Sequence, residues 1–98
     1  WSAAIDAVRD KLGRLDVLVN SAGISGFAHD RESTAYLDRI MAIHLRGCFL
    51  AIKHGAPAIA QSGGGAIVTL SSIAAYEGFN GQHMGYNAAK AGVLAMTR

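Results

Sequence analysis

Gly63-Gly64-Gly65-Ala66-Ile67-Val68-Thr69-Leu70-Ser71-Ser72 is the stretch on which the reading of this chain turns. Its apolar, β-branched middle has no polar alternation, which fits a short strand buried in a parallel sheet rather than one with a wet face. The serine pair then lies at the carboxyl end of that strand, where ligands gather in open α/β sheets. The glycines precede the strand, whereas a dinucleotide fingerprint follows a strand and opens a helix, so Gln61 to Gly65 reads as a turn and not as a phosphate loop.

Upstream, Leu15-Asp16-Val17-Leu18-Val19-Asn20 has the same character, bounded by Gly13 and by Ser21-Ala22-Gly23, with Asp16 its one awkward member. Between the two runs, Leu37, Ile40, Met41, Leu45, Cys48, Phe49 and Ile52 recur at helical spacing from an N-cap at Ser33 or Thr34, and the pattern extends to Gln61. Pro57 is expected to kink this helix or to start a separate last turn, because it removes one helical hydrogen bond. A helix this long crosses back over the sheet, making the two runs parallel neighbours and setting Asn20 level with Ser71 and Ser72. At the start of the chain, Ala4, Ile5, Val8 and Leu12 mark an amphipathic helix that Gly13 caps.

Downstream comes Tyr86-Asn87-Ala88-Ala89-Lys90-Ala91-Gly92. Helix positions i and i+4 share one face, so Tyr86 and Lys90 present a phenol and an ammonium to a common point. A free tyrosine has a pKa of about 10. Lowering it by roughly three units takes about 4 kcal/mol, which an ammonium a few ångströms away in a partly dry cleft supplies. A serine hydroxyl at the end of the neighbouring strand would hold the substrate oxygen while its proton moves.

In this order and spacing, Asn20-Ser21-Ala22-Gly23, the run into Ser71-Ser72, and Tyr86 to Gly92 resemble the central part of a short-chain dehydrogenase/reductase over essentially the whole chain. That resemblance implies a Rossmann-like, doubly wound α/β fold and hydride transfer between NAD or NADP, with NAD favoured, and a secondary alcohol or ketone. It implies Tyr86 as general acid and base, with Lys90 lowering its pKa and bonding the nicotinamide ribose. Ser72, the second serine of the pair, would steady the substrate oxygen, with Ser71 as the fallback because Ser72 and Tyr86 are one residue further apart than is common. Asn20, Ala22 and Gly23 would line the adenosine side of the cofactor, although Ser21 stands where a second asparagine is usual. His44 occupies a place that commonly carries a water-holding asparagine. A neutral imidazole can hold a water or relay a proton there, or be a satisfied core histidine. The resemblance also implies a homotetramer that uses the long helix and the Tyr86 helix as interfaces; ordinary core packing explains the same faces. Tyr76, Phe79, His83 and Met84, in the loop before Tyr86, suit a substrate wall or packing equally.

Half the residues (51%) are hydrophobic and 16% are charged, which excludes disorder, and no apolar run reaches the roughly 20 residues of a membrane span. The formal net charge of +2 is small and the basic residues are scattered, so nucleic acid is not implied. The lone Cys48 cannot form an internal disulfide and reads as a small buried side chain, which fits a reducing, cytoplasmic setting. His29, His44, His54 and His83 lack metal-ligand spacing, so no metal is expected, and no G-x-S-x-G surrounds the serines.

The chain opens at Trp1 inside a helical pattern and ends at Arg98 without a stop signal, so residues 1–98 are expected to be the central part of one NAD(P)-binding domain. Two rival readings follow. One is a non-catalytic fragment lacking the glycine-rich cofactor loop, and the other is a related fold that isomerises, dehydrates or only binds.

Overall fold

A computed structural model of the chain describes residues 1–24, 31–77 and 83–98. Helix α1 (Ser2–Leu12) leads to strand β1 (Val17–Asn20). Helix α2 (Thr34–Ile40) continues through a π-helical segment (Met41–Arg46) into α3 (Gly47–Gln61). Strand β2 (Ala66–Thr69) follows, then a 3-10 turn (Ile73–Ala75) and α4 (Met84–Ala95). Among the described residues no helix is long and apolar enough to cross a membrane.

The two strands pair in parallel, with Val17 opposite Ala66 and Asn20 opposite Thr69. One further bond, from the Leu70 N–H to the Asn20 carbonyl at 3.1 Å, holds the carboxyl ends level. The strands are shorter than the apolar runs suggest. Asp16 lies outside β1 because its carboxylate turns out to the Arg14 guanidinium, 2.6 Å away, while its backbone carbonyl still accepts the Ala66 N–H at 2.9 Å. Gly65 makes that approach possible, since a β-carbon there would come within 1.8 Å of the Asp16 oxygen. Gly63 and Gly64, at φ 101° and 105°, form the turn before β2 as the sequence predicts.

Helix α3 covers one face of the strand pair, approaching so closely that a β-carbon on Gly55 would meet Leu18 Cδ2 at 2.7 Å. The other face is bare: Val17, Val19, Val68 and Leu70 are 56%, 57%, 47% and 48% exposed. At the start of the chain Ile5 is buried and Gly13, at φ 78°, donates its N–H to the Arg9 carbonyl at 2.7 Å. Leu12 departs from the expected apolar stripe and is 73% exposed.

The long helical stretch begins where expected, with the Ser33 hydroxyl accepting the Tyr36 N–H at 3.1 Å, and it ends at Gln61. Pro57 neither breaks α3 nor starts a new turn: Gly47–Gln61 is one α-helix. Pro57 denies an N–H only to the carbonyl of Lys53, and both residues lie on the exposed side of the helix. The departure from α geometry falls earlier, at Met41–Arg46.

Helix α4 runs alongside α2 and the π segment. Tyr36, Ile40 and Ala89 form a buried cluster with Ile24, Met41 and Tyr86 packed against it. Gly85 abuts Leu37, and Gly92 abuts Leu45, whose Cδ1 would lie 2.5 Å from an added β-carbon.

Candidate active site

The carboxyl ends of β1 and β2 and the inner face of α4 bring most of the singled-out residues together. Asn20 ends β1, and Ser21, Ala22 and Gly23 beyond it are exposed, a small-residue rim open to a flat ligand. Ser71 and Ser72 follow β2 at the same level.

The two serines are used differently. Ser71 donates its hydroxyl hydrogen to the carbonyl of Lys90 at 2.8 Å, which fastens the end of β2 to α4. Ser72 accepts the Ala74 N–H on its oxygen at 3.2 Å as the cap of the 3-10 turn. Its own hydrogen takes no part in that bond and is left to donate elsewhere.

Lys90 is 7% exposed, and its ammonium donates to the carbonyl of Leu70 at 2.8 Å. The same nitrogen lies 5.8 Å from the centre of the Tyr86 ring, so the helix spacing does put lysine and tyrosine on one face. Tyr86 itself is half-buried.

His44, in the π segment, is 4% exposed. Its Nε2 lies 2.6 Å from the Ile24 carbonyl oxygen and 3.0 Å from the Ile24 nitrogen. The Ile24 N–H donates to Nε2, and the carbonyl oxygen lies beside the same nitrogen, so both backbone groups of Ile24 converge on one ring atom. Nδ1 is buried and without a partner among the described residues, as is Asn87 Oδ1. Burial pushes the His44 imidazole below its ordinary 6.5; the Lys90 ammonium pushes the same way and the Ile24 bond opposes both. The ring also packs edge-on to Tyr86 and flat against Gly23, where an added β-carbon would come within 2.6 Å of Cε1.

Sequence reasoning missed what lies beneath the Asn20–Gly23 rim. Cys48 is 1% exposed, and burial pushes its thiol up, while a hydrogen bond with the Asn20 side chain and the nearby Lys90 charge oppose the rise. The cysteine thus meets the Asn20 side chain across the crossover from α3 to β1, a contact no local pattern encodes. The tether from His44 to Ile24 was also missed; the absence of a side chain at Gly23 was the available signal.

Of the loop residues considered for a substrate wall, Tyr76 and Met84 are exposed and His83 half-buried, whereas Phe79 lies outside the described residues, as does His29. Among the described residues no group of three or more His, Cys, Asp or Glu side chains gathers.

Known proteins match this arrangement. The profile of one protein family, described as Enoyl-(Acyl carrier protein) reductase, matches residues 1–98. D-threitol dehydrogenase of Mycolicibacterium smegmatis is 41% identical over 97 residues, covering 98% of this chain and 37% of that protein. Levodione reductase of Leifsonia aquatica is 36% identical over 98 residues, covering 98% and 36%. The crystal structure of carveol dehydrogenase from Mycobacterium avium in complex with NAD superposes with a TM-score of 0.88 at 31% identity, over 99% of this chain and 36% of that one. The chain thus spans little more than a third of the length of these relatives. Matched from its first residue to its last, and carrying the parallel strand pair with its serines beside a Tyr-Lys helix, the chain belongs to the short-chain dehydrogenase/reductase family.

Proposed function

We propose that residues 1–98 are the central part of one NAD(P)-binding domain whose complete protein interconverts a secondary alcohol and a ketone. The observation that carries this reading is the convergence of Tyr86 and the buried Lys90 ammonium, with 5.8 Å between ammonium and ring centre, beside the carboxyl ends of two parallel strands. Tyr86 takes the hydroxyl proton in oxidation and returns one in reduction. Lys90, held by the Leu70 carbonyl, favours the phenolate. Ser72 keeps a hydrogen to donate to the substrate oxygen, whereas Ser71 is committed to the Lys90 carbonyl.

A bound nicotinamide dinucleotide supplies the hydride chemistry. The exposed Ala22 and Gly23, with Asn20 behind them, offer it a side-chain-poor rim, and Lys90 reaches the ribose. NAD is favoured over NADP; the carveol dehydrogenase structure holding NAD supports this. His44 takes the water-holding place, its buried Nδ1, unpartnered among the described residues, being the ring nitrogen that a water or proton relay would meet.

The complete protein is proposed to be cytoplasmic and homotetrameric. A groove lined by Met41, Leu45, Phe49 and Met96, with Asp38 and Arg46 at its edge, lies between the long helix and the end of α4 and supports self-association. The test of function is to incubate the complete protein with NAD or NADP and a panel of secondary alcohols, including polyols and cyclic terpenoid alcohols, and to follow nicotinamide absorbance. Absorbance that stays flat with every alcohol, and with the matching ketones and reduced cofactor, refutes the reading.

A further inference from the structure

The seam between α4 and the α2–π stretch is closed at its N-terminal end by one polar contact across 52 residues: Arg31 Nη1 lies 2.8 Å from His83 Nε2. Below it the seam is apolar, with Leu37 against Gly85, then Tyr36 and Ile40 against Tyr86 and Ala89, then Leu45 against Gly92. His83 is the residue at which α4 starts. Its carbonyl accepts the Asn87 N–H at 2.8 Å, and its side chain makes no capping bond of its own.

A guanidinium has only donors and does not deprotonate in proteins, so in this contact the Nε2 of His83 must accept. The ring is therefore neutral with its hydrogen on Nδ1. A ring that took a proton on Nε2 would lose the lone pair and set a second positive charge against the first, at a helix N-terminus where the macrodipole already disfavours cations.

We propose that Arg31 and His83 form a latch that fixes the first turn of α4 and through it the placement of Tyr86. Arg31 and His83 are positioning residues, and the link to turnover rests on the role proposed for Tyr86; the latch itself does not.

The test reads the His83 ring nitrogens by long-range proton–nitrogen NMR in the complete protein. The expected result is the Nδ1–H tautomer in the unaltered protein, a shift to mainly Nε2–H in Arg31→Met, and recovery of Nδ1–H in Arg31→Lys, which restores a donor. In steady state Arg31→Met raises the KM for the alcohol more than kcat falls, and Arg31→Lys restores it. An Nε2–H ring in the unaltered protein, or a tautomer indifferent to Arg31→Met, overturns the latch. A correct tautomer series in a protein that turns over no alcohol supports the latch and refutes only the dehydrogenase reading.

Discussion

The ring of His44 stands edge-on to that of Tyr86, with centroids 5.3 Å apart and planes at 88°. Its other edge holds the backbone of Ile24, so one buried imidazole spans the segment after β1 and the tyrosine helix. Burial keeps this ring neutral in the folded state, below its ordinary 6.5. Once unfolded it binds a proton more readily, so between the depressed and the ordinary value the unfolded state holds more protons, and stability rises with pH. Folding stability of the complete protein is therefore expected to fall as pH drops below about 6.5, and His44→Asn is expected to flatten that slope. Denaturant midpoints measured across this range check both statements. An unchanged slope in the variant would remove His44 from this account.

Tyr86→Phe keeps the aromatic packing against Ile40 and Ala89 and deletes only the hydroxyl. Turnover is expected to fall by about a thousandfold or more, the scale of a lost general acid and base, while NAD binding followed by fluorescence stays within a factor of a few. Turnover within tenfold of the parent would reassign the proton transfer.

The adjacent serines should separate cleanly. Ser71→Ala removes the bond to the Lys90 carbonyl and is expected to cost about 1 kcal/mol of stability, with a modest loss of activity. Ser72→Ala is expected to leave the melting temperature nearly unchanged and to lower kcat by about a hundredfold. The reverse pattern would make Ser71 the substrate-facing hydroxyl.

Two glycines make a stability contrast. Gly65→Ala drives a β-carbon into the backbone oxygen of Asp16, which cannot move without unpairing the strands, and should cost more than about 3 kcal/mol. Gly92→Ala meets only the tip of Leu45, which can change rotamer, and should cost about 1 kcal/mol. Equal losses in chemical denaturation would contradict the close approach at Gly65.

Much of this was legible in the residues. The paired apolar runs give parallel strands with Asn20 and the serines level, because β-branched residues without polar alternation have few other homes. Ser33 and Gly13 act as the caps their chemistry predicts. Tyr86 and Lys90 share a face because helical spacing alone requires it. The π segment was not legible, since Met41–Arg46 has the composition of ordinary helix and its wider hydrogen bonding is settled by packing on α4. Pro57 does not start a separate last turn, since the helix runs unbroken from Gly47 to Gln61 around it. Which serine faces outward, and what His44 holds, depend on contacts between segments distant in sequence, and no local pattern encodes them.

The wider winding at Met41–Arg46 also sets the angular phase between the two halves of the long helix. Each residue of an α-helix advances about 100° around the axis, and a π turn takes up one residue more than an α turn over nearly the same rotation, so removing a single residue from this segment would regularise the coil while keeping Cys48, Ala51 and Gly55 toward the strands and Tyr36 and Ile40 on α4. The segment thus works as a slack joint between two differently aimed surfaces, and a one-residue deletion there should be better tolerated than one in the middle of α3.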